Sequence, residues 1–236
     1  MKRNYNLDKF RGFTIISMVL FHLMYNINFY WQLAWYDGTL LNKIWQLSIA
    51  CSFFIISGIT ANFISPSKNI KRGLVTSLIG FIITLATYFI APEQIIIWGV
   101  LNGLGLAMII TGLIQERNKL DLKWFFIFIL LFIFSYNIPK GSLYKYDFFK
   151  GFYDNNLAIL GFPSKDFISN DYFPIIPWIF IYLGGFSLGK HLIKKDFYNR
   201  YGTDNWLAKI GRHSMAIYLG HQVILYPLVS LIYKII

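Results

Sequence analysis

The sequence predicts an all-α protein, a polytopic transmembrane helix bundle of about seven spans with its N terminus cytoplasmic and its C terminus external. Three observations carry this. Of 236 residues, 56% are hydrophobic and 19% aromatic, and only 14% are charged, against about 25% charged in an ordinary soluble domain. That much apolar surface cannot be hidden inside a globule of this size, so the bilayer must take it up. The apolar residues also fall into runs near the length of about 20 residues that a spanning helix needs. Finally, these runs do not alternate with the period of two expected of barrel strands, which leaves helices as the spanning structure. A disordered chain, a coiled coil and a collagen-like repeat are excluded by the same composition. The single cysteine, Cys51, excludes a disulfide framework and a thiolate metal cluster.

The first span covers residues 11–31 and the second 44–64, stopping before Ser65 and Pro66. The third, 73–91, ends at Pro92, and the fourth covers 95–114. The fifth, 123–137, is short and needs tilt or local thinning of the bilayer. The sixth covers 174–193 and the seventh 209–233. Asn26 and Asn28 near the end of the first run stand where a signal peptide would need small residues, so that run reads as a retained helix. The whole chain, 1–236, reads as one domain. Its longest connection, 138–173, is an external loop too rich in Tyr and Phe to be disordered, and it is expected to fold back over the helix ends.

Orientation follows from the basic residues in the connections. Seven spans put sixteen of the 22 Lys and Arg on the side of the N terminus and six on the other. The net charge of +11 then reflects topology and anionic lipid, with no need for a nucleic-acid partner.

Ionisable residues inside a bilayer are functional candidates. His22 lies 11 residues past Arg11, which is about 16 Å along a helix and nearly on the same face. His221 lies nine residues past Arg212, at a similar depth, and shares a helix face with Ser214 and Tyr218. Two histidines at matched depth suggest that the first and last helices meet, although a lone histidine on an apolar helix is more often a packing residue. No Asp or Glu falls inside a span, which weighs against an ion-coupled carrier and a carboxylate metal site. Two histidines are also too few for a catalytic zinc, so no metal is expected. The glycines of residues 99–105 suit close helix packing, with Asn102 among them. Asp171 precedes Pro174 and either caps the sixth helix or faces an external cleft.

These residues together resemble a known family. Asp8, Arg11 and Gly12 followed by His22 resemble the first helix of integral-membrane acyltransferases. Residues 211–222, with Gly211, Ser214, Tyr218, His221 and Gln222, resemble their last helix. Residues 99–105 and 171–178 narrow the resemblance to the catalytic-domain family of heparan-alpha-glucosaminide N-acetyltransferase, in its small bacterial branch. The resemblance implies transfer of an acyl group, usually acetyl, from cytoplasmic acyl-CoA to a sugar or other cell-envelope acceptor on the far side. It places the base of the first helix on His22 and its arginine on Arg11. The chain departs from the family where lysosomal members carry Asn at the position of His22, and where their histidine falls at about Leu33 here. They also have more helices. An acyl-histidine at Leu33 is excluded, so direct transfer or another histidine is required.

Acyl-CoA is anionic and is expected at a basic cytoplasmic mouth near Arg11, Lys71, Arg72 and Arg212. The thioester then sits near His22 and His221. His22 is expected to take the acceptor's proton, with His221 orienting or donating a hydrogen bond. Tyr218, Ser214, Gln222 or Asn102 are the expected oxyanion donors. The rival readings are a transporter or flippase for a glycan or lipid, and a non-catalytic membrane partner. The abundance of Ile, Asn, Lys and Phe with few Ala points to a prokaryotic cytoplasmic membrane, and the sequence leaves homo-oligomerisation open.

Overall fold

The computed structural model describes residues 3–115, 120–195 and 202–235. Lys2, Arg117, Lys119 and Arg200, which count toward the basic side, lie outside the described residues. Among the described residues there are nine α-helices and no strand: α1 (Tyr5–Trp31), α2 (Leu40–Ala61), α3 (Pro66–Ile90), α4 (Val100–Ile114), α5 (Leu122–Ser135), α6 (Asp147–Asp154), α7 (Ile175–Lys194), α8 (Trp206–Arg212) and α9 (Ser214–Ile235). Six helical stretches among the described residues are long and apolar enough to cross a membrane: α1, α2, α3, Leu122–Lys140, α7 and α9. The protein is therefore an integral membrane protein with a lipid bilayer around it. Large side chains such as Leu74, Leu78, Phe81, Ile82 and Leu85 on α3 stay on the surface, as lipid contact demands.

Two stretches differ in detail from the sequence expectation. The fourth is a helix only from Val100, because residues 92–99 form a short 3-10 turn and an irregular link that bends at Trp98. Two amides here are satisfied from far away in the chain: Ile97 of the link donates to Ser169 Oγ, and Val100 at the start of α4 donates to Asp171 Oδ2. The seventh is broken at His213 into α8 and α9. Asn205 caps α8 by accepting from the Ala208 amide at 3.0 Å.

The chain forms two compact units, one of residues 1–56 with 196–236 and one of 57–195, so the division falls inside α2. In the first unit α1 packs on α8 and α9. Lipid tails are as apolar as leucine, so helices in a bilayer associate through close backbone approach and polar contacts. Both are present here. A Cβ on Gly12 would strike the Leu207 carbonyl oxygen, and one on Gly211 would strike that of Asp8, so only glycine lets α1 and α8 cross this closely. Further along α1, the buried Ile15, Met18 and Phe21 pack with Tyr36 and Ile49, and Ile217 and Tyr218 of α9 lie against them. The Tyr36 hydroxyl donates to the Phe21 carbonyl at 3.1 Å, and Trp45 Nε1 donates to Ser17 Oγ at 2.8 Å.

In the second unit α3 packs on α4, α5 on α7, and α4 on α7. Gly73 and Gly105 bring the backbones of α3 and α4 together, which is the packing role expected of residues 99–105. Asn69 Nδ2 donates to the Met108 carbonyl at 3.1 Å across the same contact. The 138–173 connection is ordered around an aromatic cluster in which Phe149 stacks on Phe162. Its end folds back on the 93–98 link, where Asn170 N donates to Ile95 O at 3.0 Å and Phe173 N to Trp98 O at 2.9 Å.

Candidate functional site

The first unit brings His22 and His221 together. Their ring centroids are 4.7 Å apart, with the planes at 54°. Both rings sit on long helices, so backbone hydrogen bonding is complete around them and only side chains are left to do chemistry. Nδ1 of His221 lies 2.6 Å from the Tyr218 carbonyl oxygen, one turn earlier on α9. Gln222 reaches back to α1, with Nε2 3.1 Å from Nδ1 of His22 and Oε1 accepting from Asn26 Nδ2 at 2.9 Å. The Tyr218 ring lies 5.7 Å from that of His221 and leans on the core of the unit. Ser214 begins α9, two turns before His221 and about 10 Å from it along the axis.

Asn26 is the residue that sequence reasoning missed. It is 3% exposed and stands one turn past His22 on the same face of α1. An amide inside an apolar run was the available signal, but its partner, Gln222, is 196 residues away.

At the N-terminal end of α1, basic side chains gather around two carboxylates. Asp8, 4% exposed, accepts from Arg3 Nε at 2.5 Å and from Arg11 at 2.8 Å. Asp204 pairs with Arg212 at 2.8 Å, and that guanidinium holds its carboxyl below the usual carboxylate range. Lys9 and Lys209 stand on the same elements, Lys9 within 3.4 Å of the Thr203 hydroxyl. Cations therefore outnumber carboxylates at this end, a donor set suited to phosphate oxygens.

The other end of α1 carries an open depression of about 600 Å³ lined by Tyr25, Asn28, Phe29, Gln32, Leu33 and Asp37 among others. His22, Tyr25 and Phe29 follow at i, i+3 and i+7, a single stripe of the helix, and Gln32 is the residue that caps its C-terminal end. Asn28 fixes the turn beyond it, donating to Asp37 at 2.7 Å while accepting from the Leu33 amide at 2.7 Å. His22 thus stands about 16 Å along the helix from Arg11 and about 15 Å from Gln32, between the basic end and the depression.

The remaining candidates lie in the second unit. Asn102 is 1% exposed, and its Nδ2 donates to the Ser77 carbonyl at 3.4 Å. Asp171 Oδ2 accepts from the Val100 amide at 3.0 Å and so caps α4. Burial pushes the Asp171 carboxyl up to about 6, and the Val100 hydrogen bond pulls it partly back. Lys71 and Arg72 are exposed on the first turns of α3. Among the described residues, no group of three or more His, Cys, Asp or Glu is placed to hold a metal.

A family model described as heparan-alpha-glucosaminide N-acetyltransferase, catalytic, matches residues 3–223, nearly the full length. No curated protein matches the chain, and no solved structure does.

Proposed function

The chain belongs to the family of heparan-alpha-glucosaminide N-acetyltransferase catalytic domains, and from that premise we propose that it moves an acetyl group from acetyl-CoA to a sugar or other polar acceptor on the opposite side of the bilayer. Family membership implies a membrane acetyltransferase; the donor, the direction and the site are this proposal's own. The observation that carries it is the order of features along α1: cations at the N-terminal end, the paired imidazoles of His22 and His221 next, and an open depression beyond.

The phosphates of CoA call for Arg and Lys donors, and Arg11, Arg212, Lys9 and Lys209 supply them at one end of the first unit. Lys71 and Arg72 of the second unit are assigned to CoA on charge alone. From that end the slender pantetheine arm runs along α1 to bring the thioester to the imidazoles. The acceptor enters from the depression, where Asp37 and the Tyr25 and Phe29 rings suit a hydroxylated or amino-bearing molecule. One imidazole takes the acceptor's proton and the other supports the developing oxyanion. Tyr218 and Ser214 stand on the same helix as His221 and are assigned supporting roles. Asn102 and Asp171 are assigned supporting roles on residue type and sequence position alone.

A transporter would move its cargo without CoA chemistry, and a non-catalytic partner would do neither. Purified protein in lipid nanodiscs, given acetyl-CoA and a panel of amino sugars and polyols, should release CoA thiol only when an acceptor is present. No thiol release with any acceptor, together with no CoA binding, would remove the proposal.

A further inference from the structure

The two imidazoles are not equivalent, because their hydrogen bonds decide which nitrogen of each carries the proton. A backbone carbonyl can only accept. Nδ1 of His221 faces the Tyr218 carbonyl at 2.6 Å, so in the neutral ring Nδ1 holds the proton and Nε2 keeps its lone pair. That Nε2 is buried and has no hydrogen-bond partner. Its lone pair is therefore open to take a proton.

On His22 the arrangement is the inverse. Asn26 Nδ2 donates to Gln222 Oε1, and this turns the Gln222 amide nitrogen toward Nδ1 of His22 at 3.1 Å. Nδ1 of His22 therefore receives a hydrogen bond, and the ring's proton sits on Nε2. Gln222 was expected only as an oxyanion donor and Asn26 not at all, yet together the two amides fix what His22 can do.

We propose that His221, through Nε2, is the proton acceptor of the transfer, and that Asn26 and Gln222 are positioning residues that hold His22 as a hydrogen-bond donor to the oxyanion. This rests on the acyl-transfer reading and goes beyond it by dividing the roles. The acceptor's oxygen or nitrogen forms a bond to the thioester carbonyl carbon as its proton passes to Nε2 of His221. The carbonyl oxygen takes the displaced electron pair and accepts from Nε2–H of His22. When that pair returns, the carbon–sulfur bond breaks, and the leaving thiolate takes the proton back from His221. The products are the acylated acceptor and free CoA thiol, and both rings regain their starting tautomers.

The test reads the tautomers directly. Protein labelled with nitrogen-15 histidine, in nanodiscs, has its His22 and His221 signals assigned by loss in His22→Ala and His221→Ala. The expected pattern is Nδ1–H for His221 and Nε2–H for His22. Asn26→Asp presents only acceptors to Gln222, so the amide must turn its nitrogen to the new carboxylate and its oxygen to His22. The His22 proton should then move to Nδ1, and kcat should fall by roughly 10²-fold, the order lost with one oxyanion donor, while KM for acetyl-CoA holds. Gln222→Glu should give the same tautomer change and serves if the first variant folds poorly. An Nε2–H tautomer on His221, or a His22 tautomer unmoved in both folded variants, would overturn the role division while leaving acetyl transfer standing. Absence of transfer in the unaltered protein would instead overturn the reading beneath it.

Discussion

In the second unit α3 and α4 meet along glycines, with Gly73 against Gly105, and their buried amides reach for backbone carbonyls, as Asn69 does for Met108. In the first unit α1 meets α8 in the same glycine manner at Gly12 and Gly211, but it meets α9 through His22, Asn26, His221 and Gln222. Both solve the problem of joining helices where the hydrophobic effect gives no help. The glycine contact leaves no side chain to react. The α1–α9 contact sets two imidazoles side by side, those of His22 and His221, with ring centroids 4.7 Å apart. The difference separates scaffold from site within one membrane protein.

The comparison is broken most severely at the glycine contact. Gly105→Leu should yield no folded protein, because even a Cβ there meets the Gly73 carbonyl oxygen at 2.7 Å and the Ser77 amide at 2.8 Å, and backbone cannot give way. Size-exclusion profiles in detergent read this, and a well-behaved Leu variant would contradict the scaffold role. Next in size, His221→Ala should cut turnover by roughly 10²–10⁴-fold, the contribution of a general base, with the thermal midpoint shifted by only a few degrees. Equal losses of stability and activity would return the histidine to packing.

A smaller effect is expected at the basic end. Arg11→Ala should weaken CoA binding by about tenfold, roughly 1.4 kcal/mol, and the loss should shrink as salt rises. Lys165→Ala, where the ammonium lies over the Tyr144 ring in the 138–173 connection, should leave binding unchanged. Titration calorimetry at two ionic strengths measures both.

The smallest effect belongs to Asp171. Its carboxyl, raised by burial from 3.8 to about 6, holds a proton in the folded state that the unfolded chain has already released. Stability should therefore be greatest below about pH 4 and decline as pH rises toward about 6. Asp171→Asn keeps an acceptor for the Val100 amide and should flatten that slope. Thermal unfolding between pH 4 and 7 checks it, and an unchanged slope would remove Asp171 as its source.

The spans were legible because the bilayer imposes their length and polarity on the sequence directly. The meeting of the first and last helices was legible for a related reason, since a histidine in an apolar run stands out. What remained hidden depends on partners distant in the chain. Residues 95–99 read as helix, yet Ser169 and Asp171, some 70 positions on, take the amides of Ile97 and Val100. Residues 209–233 read as one helix, because the break at His213 interrupts no apolar pattern. Asn26 looked like a polar flaw near the end of a span until Gln222 came to meet it.

The measurement that bears most directly on the account is single-turnover acetyl transfer in nanodiscs by the unaltered protein, His22→Ala and His221→Ala, with CoA affinity measured on the same samples. The account predicts acceptor-dependent release of CoA thiol by the unaltered protein, losses of at least tenfold in each variant, and CoA affinity within a few-fold throughout. Transfer that survives intact in both variants would show that the imidazole pair only packs α9 against α1.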